Sequence, residues 1–286
     1  MTCARSEALA LFNSNGHLRF SFWLDGSAPF ANLCAKPTHF SARFLAMPYT
    51  LQRPRNRLFH ALPPAQLARL RSSLELLPCA RDQVLIEADG ALDQVLFPES
   101  SVLSLSTTFA DGSAVDMATI GREGCTGVPV ILGAKISSVR LVTQIPGTAS
   151  RMSRRSFVWA MQTMPGFKTL MHDYAQAFLH QAMVSGACNG AHKLSQRLAR
   201  WLLTTRDRSD SDSLPVTQNL LADLLCVQRQ SISHALGELE RARLIEGARR
   251  QITILDRGGL AEEACECYQR LRDRIAQYLP MTYAPG

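Results

Sequence analysis

The chain has 286 residues, 46% of them apolar and 19% charged, a length that fits two domains and a composition that excludes wholesale disorder. Its formal charge of +7 is weighted to the start, where residues 1–60 hold seven Lys/Arg against two Asp/Glu; the basic balance alone is therefore no argument for a polyanionic partner. Apolar runs stop well short of the ~18 residues of a membrane span, and no leader pattern stands near Met1, which predicts a cytoplasmic protein.

Residues 1–55 mix Gly, Pro, Asn and Ser with isolated aromatics and have no sustained period. They read as a poorly ordered extension, and Met47, before the basic stretch Arg53 to Arg57, is an expected alternative start of translation. Leu58, Leu62, Leu67, Leu70, Leu74 and Leu77 recur at near-helical spacing, so a helix is predicted from Leu58 to Leu77, opened by Pro63-Pro64 and ended by Pro78.

From residue 83 to 152 the pattern changes to short β runs. Val84 to Ile86, Val95 to Phe97, Val102 to Phe109, Val115 to Ile120 and Val139 to Ile145 are separated by turn signals, Asp111-Gly112 the strongest. Strands at this spacing predict an antiparallel sandwich or barrel. Ser153 is placed to cap a short helix ending at Gln162, and Pro165 opens a long one. Along that helix Leu170, Tyr174, Ala177, Gln181, Val184 and Cys188 step by four and three, a seam of heptad type. Residues 165–189 would span ~37 Å at ~1.5 Å per residue, long for a helix lying on a small barrel, so the seam predicts burial against a second copy and a homodimer. Asn189-Gly190 is expected to break or bend the helix. The next helix is predicted to turn Leu194, Leu198, Trp201 and Leu202 inward and Arg197, Arg200 and Arg206 outward.

After a Ser/Asp-rich connector (residues 207–213), Thr217 is the expected N-cap of a short helix through Leu225, Cys226-Val227 forms a turn, and Gln228 to Arg241 forms a second helix with Ile232, Leu236 and Leu239 inward. This is a helix-turn-helix pattern, with the small Ala222 where the two helices cross. On the second helix Gln228, Arg229, Gln230, Ser231, Ser233 and His234 are expected on the exposed face; each can hydrogen-bond and none is a carboxylate. They cluster at the end that reaches base edges when such a helix lies in the major groove, where Arg suits guanine and Gln suits adenine. Glu238 and Glu240 are expected to lie away from that groove. Two short strands then flank a turn with Arg249 and Arg250, a wing; with Thr217 and Gln218 these are the expected phosphate contacts.

From about Leu58 to Leu255, roughly 200 of 286 residues, the chain resembles the CRP/FNR family of bacterial transcription regulators. The stretch from Arg197 to Leu203 resembles the family's lead into its DNA-binding domain, and Leu225 to Leu236 its turn and recognition helix. The family's base-reading positions fall on Arg229, Gln230 and His234, two of which depart from the commonest Glu and Arg, so a different target sequence is expected. The resemblance implies an α+β fold: an N-terminal antiparallel, jelly-roll-like β-roll, a long dimerisation helix and a C-terminal winged helix-turn-helix. The expected divisions are an extension over 1–55, a cyclic-nucleotide-binding-like effector domain over 56–164, the dimerisation helix over 165–190, the DNA-binding domain over 191–257, and a C-terminal helix and tail over 258–286. It also implies binding to a partly palindromic DNA site as a dimer, with RNA polymerase as a further partner.

Cyclic-AMP binders of this family carry a Glu in a Gly-Glu-Leu cassette and an Arg about ten residues on. Here the corresponding positions are Gly124-Cys125-Thr126-Gly127 and Ser137-Ser138, with Arg140 nearby as the substitute cation; these residues form the expected effector pocket. Without the Glu and the Arg, cyclic AMP is not expected to bind in the usual mode, and the effector is unassigned.

No cofactor and no metal site are expected. Cys3, Cys34 and Cys79 are too far apart for the family's iron–sulfur cluster, no two cysteines have C-x-x-C spacing, and Cys265 and Cys267 are read as neighbours on one helix, Leu260 to Leu279, where i and i+2 point apart. His172, His180 and His192 are read as surface or packing residues. Two rivals to DNA binding are a scaffold protein whose winged helix contacts protein and a thiol-based redox sensor. An enzyme using Cys125 would need a His base, and no His lies between His60 and His172.

Overall fold

The computed structural model describes residues 9–12, 18–21, 54–109, 114–209 and 211–280. The chain divides into two compact units, Met1–Met47 and Pro48–Gly286. In the first, β1 (Leu9–Phe12) and β2 (Leu18–Ser21) pair antiparallel, so two strands stand inside the segment expected to lack order; each is too short to register as a sequence period. The remaining positions up to residue 53, Met47 among them, lie outside the described residues.

The second unit opens with α1 (Arg57–His60), capped by the Asn56 side chain, and α2 (Pro64–Arg71), which starts at the paired prolines as predicted. Then come β3 (Leu74–Cys79), β4 (Val84–Ile86), β5 (Gln94–Pro98), β6 (Val102–Thr108), β7 (Ala114–Ile120), the short helix α3 (Val128–Ile131), β8 (Arg140–Ile145) and β9 (Gly147–Ser153). They form two antiparallel sheets, ordered β3-β9-β5 and β4-β8-β6-β7. Both sheets feed one core, where Val95, Phe97, Leu103, Leu141 and Met152 are at most 1% exposed. The Asp111-Gly112 turn lies outside the described residues, but β6 and β7 pair on either side of it, Leu103 opposite Ile120.

The predicted helix from Leu58 to Leu77 is corrected. The chain turns at Ser72-Ser73, and Leu74 to Cys79 pair with β9, Leu74 opposite Met152 and Cys79 opposite Gly147. The leucine spacing mimicked one helix, but pairing with a strand some seventy residues away decides the segment. Pro78 sits in an edge strand, where its missing N–H is tolerated.

The helices that follow tie the sheets to the rest of the unit. In α4 (Arg154–Thr163) Ser153 is the N-cap as expected, its Oγ accepting from the Ser156 N–H at 3.0 Å. Phe59, Phe97, Phe157 and Phe167 form a chain of ring contacts, with centroids 4.7, 6.4 and 5.4 Å apart, that joins α1, β5, α4 and the long α5 (Pro165–Ala191). α5 runs through Asn189-Gly190, against expectation, and ends at His192; one exposed glycine costs a helix only ~1 kcal/mol. α6 (Leu194–Arg208) follows after a break of two residues.

The dimer seam is also corrected. Leu170, Tyr174, Ala177, Gln181 and Cys188 are buried, and Val184 half-buried, within the single chain. Tyr174 donates to the Cys125 carbonyl at 2.7 Å and Gln181 to the Thr119 carbonyl at 2.9 Å. The first part of that face therefore covers the chain's own β-roll, and its end, Val184 and Cys188, packs with Cys265 and Cys267. The exposed face carries His172, Gln176, Leu179, Met183, Gly186 and Gly190, again at steps of four and three. Leu179 and Met183 are 60% and 66% exposed, and a Cβ at either glycine would meet open space.

The third part comprises β10 (Ser213–Leu214), α7 (Gln218–Leu225), α8 (Arg229–Arg241), β11 (Ile245–Ala248) and β12 (Gln251–Ile254), with strand order β10-β12-β11. Leu198 and Leu202 of α6 share its core with Leu221, Ile232, Leu236 and Ile252. Arg197 and Arg200, expected outward, are each only 8% exposed, because α6 is covered on more than one side. Arg197 Nη2 donates to the Leu225 carbonyl at 2.6 Å and so satisfies an open acceptor at the end of α7.

The predicted C-terminal helix Leu260 to Leu279 is two helices, α9 (Arg257–Glu263) and α10 (Cys267–Tyr278), separated where Ala264 turns extended. Cys265 precedes α10 and Cys267 opens it, so the rule for i and i+2 on one helix does not apply to them. Among the described residues, no helix is long and apolar enough to cross a membrane.

Candidate DNA-binding surface

α7 begins at Thr217, whose Oγ1 accepts from the Leu220 N–H at 3.2 Å, as an N-cap should. It ends at Cys226, which takes the left-handed conformation (φ 53°) that turns the chain sharply into the second helix. Gln228 is the N-cap position of α8. Ile232, Leu236 and Leu239 face the core as predicted, joined by Ala235. That periodicity leaves Gln228, Arg229, Gln230, Ser231, Ser233 and His234 exposed at the N-terminal half of the helix.

One cleft joins this helix to the wing. Thr217, Gln218, Arg229, Glu240, Arg249 and Arg250 all line it. The three predicted sources of contact, the start of the first helix, the start of the second and the wing, thus meet on one surface. Ser233 Oγ donates to Gln218 Oε1 at 2.8 Å, which ties the two helices together at that surface. Arg250 sits at the tip of the wing turn with φ 64°.

Two carboxylates stand closer than expected. Glu240 lines the same cleft as the wing arginines, and Glu238 Oε1 lies 3.3 Å from His234 Nε2, one helical turn away. The expectation that both lie clear of the surface is corrected. It counted residues along the helix, whereas the wing folds back beside the second half of α8.

The expected effector residues do not form an open set of polar groups. Cys125 is fully buried, and burial pushes its thiol up to about 12, the opposite of what a nucleophile needs. Gly124 gives its carbonyl to Asn56 Nδ2 at 2.9 Å, and a Cβ there would lie 2.5 Å from the Tyr174 hydroxyl, so only glycine lets α5 approach. Burial raises the Tyr174 hydroxyl well above its ordinary value and keeps it a donor. Thr126 is buried and accepts from the Leu96 N–H at 2.9 Å, while a Cβ at Gly127 would meet the Phe157 ring. Ser137 is buried and donates to the Val139 carbonyl at 2.7 Å, and Ser138 is exposed beside it. Arg140 is partly exposed and pairs with Glu87 at 3.0 Å.

A polar joint connects the β-roll to the DNA-binding part. Arg208, at the end of α6, and Glu123, just after β7, are both almost fully buried, with Nε and Oε1 2.8 Å apart. Arg208 Nη2 donates to Gln181 Oε1 at 3.0 Å and its Nη1 to Thr119 Oγ1. Gly121 permits this, since a Cβ there would lie 2.6 Å from the Arg208 side chain. Beside it, Asp207 accepts from Arg272 at 2.8 Å and from the Tyr268 hydroxyl at 2.9 Å. Sequence reasoning missed this joint, because Arg208 and Glu123 lie far apart in the chain and no local pattern links them.

Residues 196–263 match the Crp-like helix-turn-helix domain family. A search of curated proteins finds no match. Among solved structures, the chain is similar to TTHB099, a CRP-family transcriptional regulator from Thermus thermophilus, with 18% identity over 66% of this chain and 96% of that one and a TM-score of 0.55. It is likewise similar to FixK2 from Bradyrhizobium japonicum, with 14% identity over 67% of this chain and 98% of that one and a TM-score of 0.55. A third is CLP, the c-di-GMP responsive global regulator from Xanthomonas campestris, with 14% identity over 67% of this chain and 99% of that one and a TM-score of 0.51. The described chain therefore has the CRP/FNR regulator fold, and its helix-turn-helix is of the Crp-like kind.

Proposed function

We propose that a chain with this fold and a Crp-like helix-turn-helix domain acts as a sequence-specific transcription regulator, binding a partly palindromic DNA site as a homodimer. The observation that carries this is the single cleft lined by Thr217, Gln218, Arg229, Arg249 and Arg250. The groups proposed to hold phosphates lie on either side of a helix start at which Arg229, Gln230, Ser233 and His234 are exposed, and these four are the proposed readers of base edges. The homodimer is supported by the exposed stripe on α5, with the glycines allowing a second helix to approach. Half-sites would then lie about one helical turn, ~34 Å, apart. Contact with RNA polymerase is proposed by family resemblance.

Gel-shift measurement on genomic promoter fragments tests this reading. Affinity should fall steeply with added salt, as phosphate neutralisation requires. Arg229→Ala should cost ~1–3 kcal/mol on the specific site and relax one base position, whereas Arg250→Ala should weaken all DNA about equally. Salt-independent binding, or none to DNA, would instead favour a protein-binding winged helix.

The β-roll is proposed as an effector domain that does not hold cyclic AMP in the usual mode. Arg140, the substitute cation expected from the sequence, pairs with Glu87 at the surface, and the Gly124–Gly127 segment is packed against α4 and α5. Isothermal titration with cyclic AMP is expected to give no micromolar binding; a micromolar site would overturn the proposal. A signal in this domain has a physical route to the DNA-binding part through Tyr174 on the Cys125 carbonyl and Glu123 on Arg208.

A further inference from the structure

A group of metal-ligating side chains gathers where α5 ends and α9 gives way to α10. Cys188 is in the last turn of α5, His192 is the residue on which that helix stops, and Cys265 and Cys267 bracket the start of α10. All four offer a ligand atom, and these atoms lie within 4.8 Å of one another. Cys188, Cys265 and Cys267 are 1%, 3% and 6% exposed. Elsewhere the described cysteines are dispersed: Cys79 and Cys125 are buried apart from this group and Cys226 is in the helix-turn-helix turn.

The geometry points to a metal site: Cys188, His192, Cys265 and Cys267 form a tetrahedral three-thiolate, one-imidazole centre for a zinc-type divalent cation.

Three observations carry it. The first is spacing. A tetrahedral ion with ~2.3 Å bonds to sulfur and ~2.0 Å to nitrogen sets its ligand atoms about 3.8 Å apart for S···S and about 3.5 Å for S···N. Cys188 Sγ and Cys265 Sγ are 3.5 Å apart, and Cys267 Sγ and His192 Nδ1 are 3.7 Å apart. An iron–sulfur cube, whose thiolates bind at separate corners, holds its sulfurs much farther apart than this group does.

The second is the histidine's orientation. His192 turns Nδ1 to the thiols, while its Nε2 lies 3.2 Å from Glu266 Oε1. A metal-bound imidazole usually gives its other ring N–H to a carboxylate, which fixes the ring and strengthens it as a ligand. Glu266 lies between the two cysteines in sequence, so one short segment supplies two ligands and the support for a third.

The third is charge. Three thiolates on a divalent ion leave one net negative charge, which is costly to bury without a partner. Arg200, 8% exposed, acts on both Cys188 and Cys265 through its positive charge. Its Nε has no hydrogen-bond partner among the described residues. On binding, the ion takes the place of the thiol protons, which pass to solvent.

The site would pin the end of α5, and the break between α5 and α6, to the start of α10. It thus fixes the joint that leads into the DNA-binding part. The inference stands on these four residues and does not depend on the DNA-binding reading.

The test uses the full chain, reduced, stripped with chelator and titrated with Co²⁺ and then Zn²⁺. One Co²⁺ per chain is expected, with thiolate-to-cobalt charge-transfer absorption and tetrahedral d–d bands that Zn²⁺ abolishes stoichiometrically. Zn²⁺ should also raise the melting temperature. Cys265→Ser should remove the charge-transfer intensity of one thiolate and weaken Zn²⁺ binding at least 100-fold. Glu266→Gln should keep the cobalt spectrum and weaken Zn²⁺ about 10–100-fold. Cys79→Ser should change neither. If Cys265→Ser does not fold, the spectrum of the unsubstituted chain decides by itself. An octahedral cobalt spectrum without charge transfer would overturn the assignment. So would a chain isolated under reducing conditions with Cys188 and Cys265 joined as a disulfide and no metal taken up.

Discussion

Glu123→Ala is expected to destabilise the chain by ~3–5 kcal/mol in urea unfolding, because it strands the guanidinium of Arg208 without its counter-charge. Both side chains are nearly sealed from solvent, at 2% exposure for Arg208 and 6% for Glu123. In such a place the loss of one partner costs far more than the pair contributes over an apolar substitute, since desolvation of the remaining charge is no longer offset. The double replacement Glu123→Leu with Arg208→Met should therefore recover most of the loss. Glu123 also accepts the Gly121 N–H at 3.2 Å, so some deficit should persist in the double variant. A cost below ~1 kcal/mol for Glu123→Ala would mean that water reaches the joint and that the pair behaves like a surface one. Because α6 and the β-roll meet through Arg208, Glu123 and Gln181, the same variants should also loosen the coupling between the two parts; hydrogen exchange along α6 would register it.

The paired substitution Leu179→Asp with Met183→Asp is expected to convert a dimer into a folded monomer. Both side chains are exposed on the single chain, so charges there cost its core nothing, but facing copies would bury like charges at the seam. DNA binding should fall with assembly. Two half-sites held by one dimer gain an effective-concentration advantage of ~10²–10⁴, and a monomer forfeits it. Sedimentation and gel shift on a palindromic fragment measure the two effects together. Leu170→Ala, on the opposite face, is the contrast: it should cost ~2–5 kcal/mol of stability and leave assembly intact. A variant chain that still sediments as a dimer would place the contact elsewhere.

The seam shows how a correct period can carry a wrong direction. Heptad spacing in α5 is real, but both 170–174–177–181–184–188 and 172–176–179–183–186–190 satisfy it, offset by two residues. Composition favoured the first, which has Tyr, Ala and Val where the second has His and two glycines. The β-roll took that face because Cys125 and Thr119 offer carbonyls to Tyr174 and Gln181 there. The strand at 74–79 is a similar case: its leucines fit a helix, and only β9 makes them a strand.

The helix-turn-helix and its wing were legible residue by residue. Thr217 as cap, Cys226-Val227 as turn, Ile232, Leu236 and Leu239 inward and Arg249-Arg250 at a hairpin tip all depend on contacts within about 40 residues, and short-range patterns encode those directly. Tertiary structure alone decided the rest. Cys188 and Cys265 are 77 positions apart, Arg208 and Thr119 are 89 apart, and no local period links either pair. Chain order says which groups a segment can offer; which of them meet depends on how distant segments pack, and that is settled by burial and charge across the whole unit.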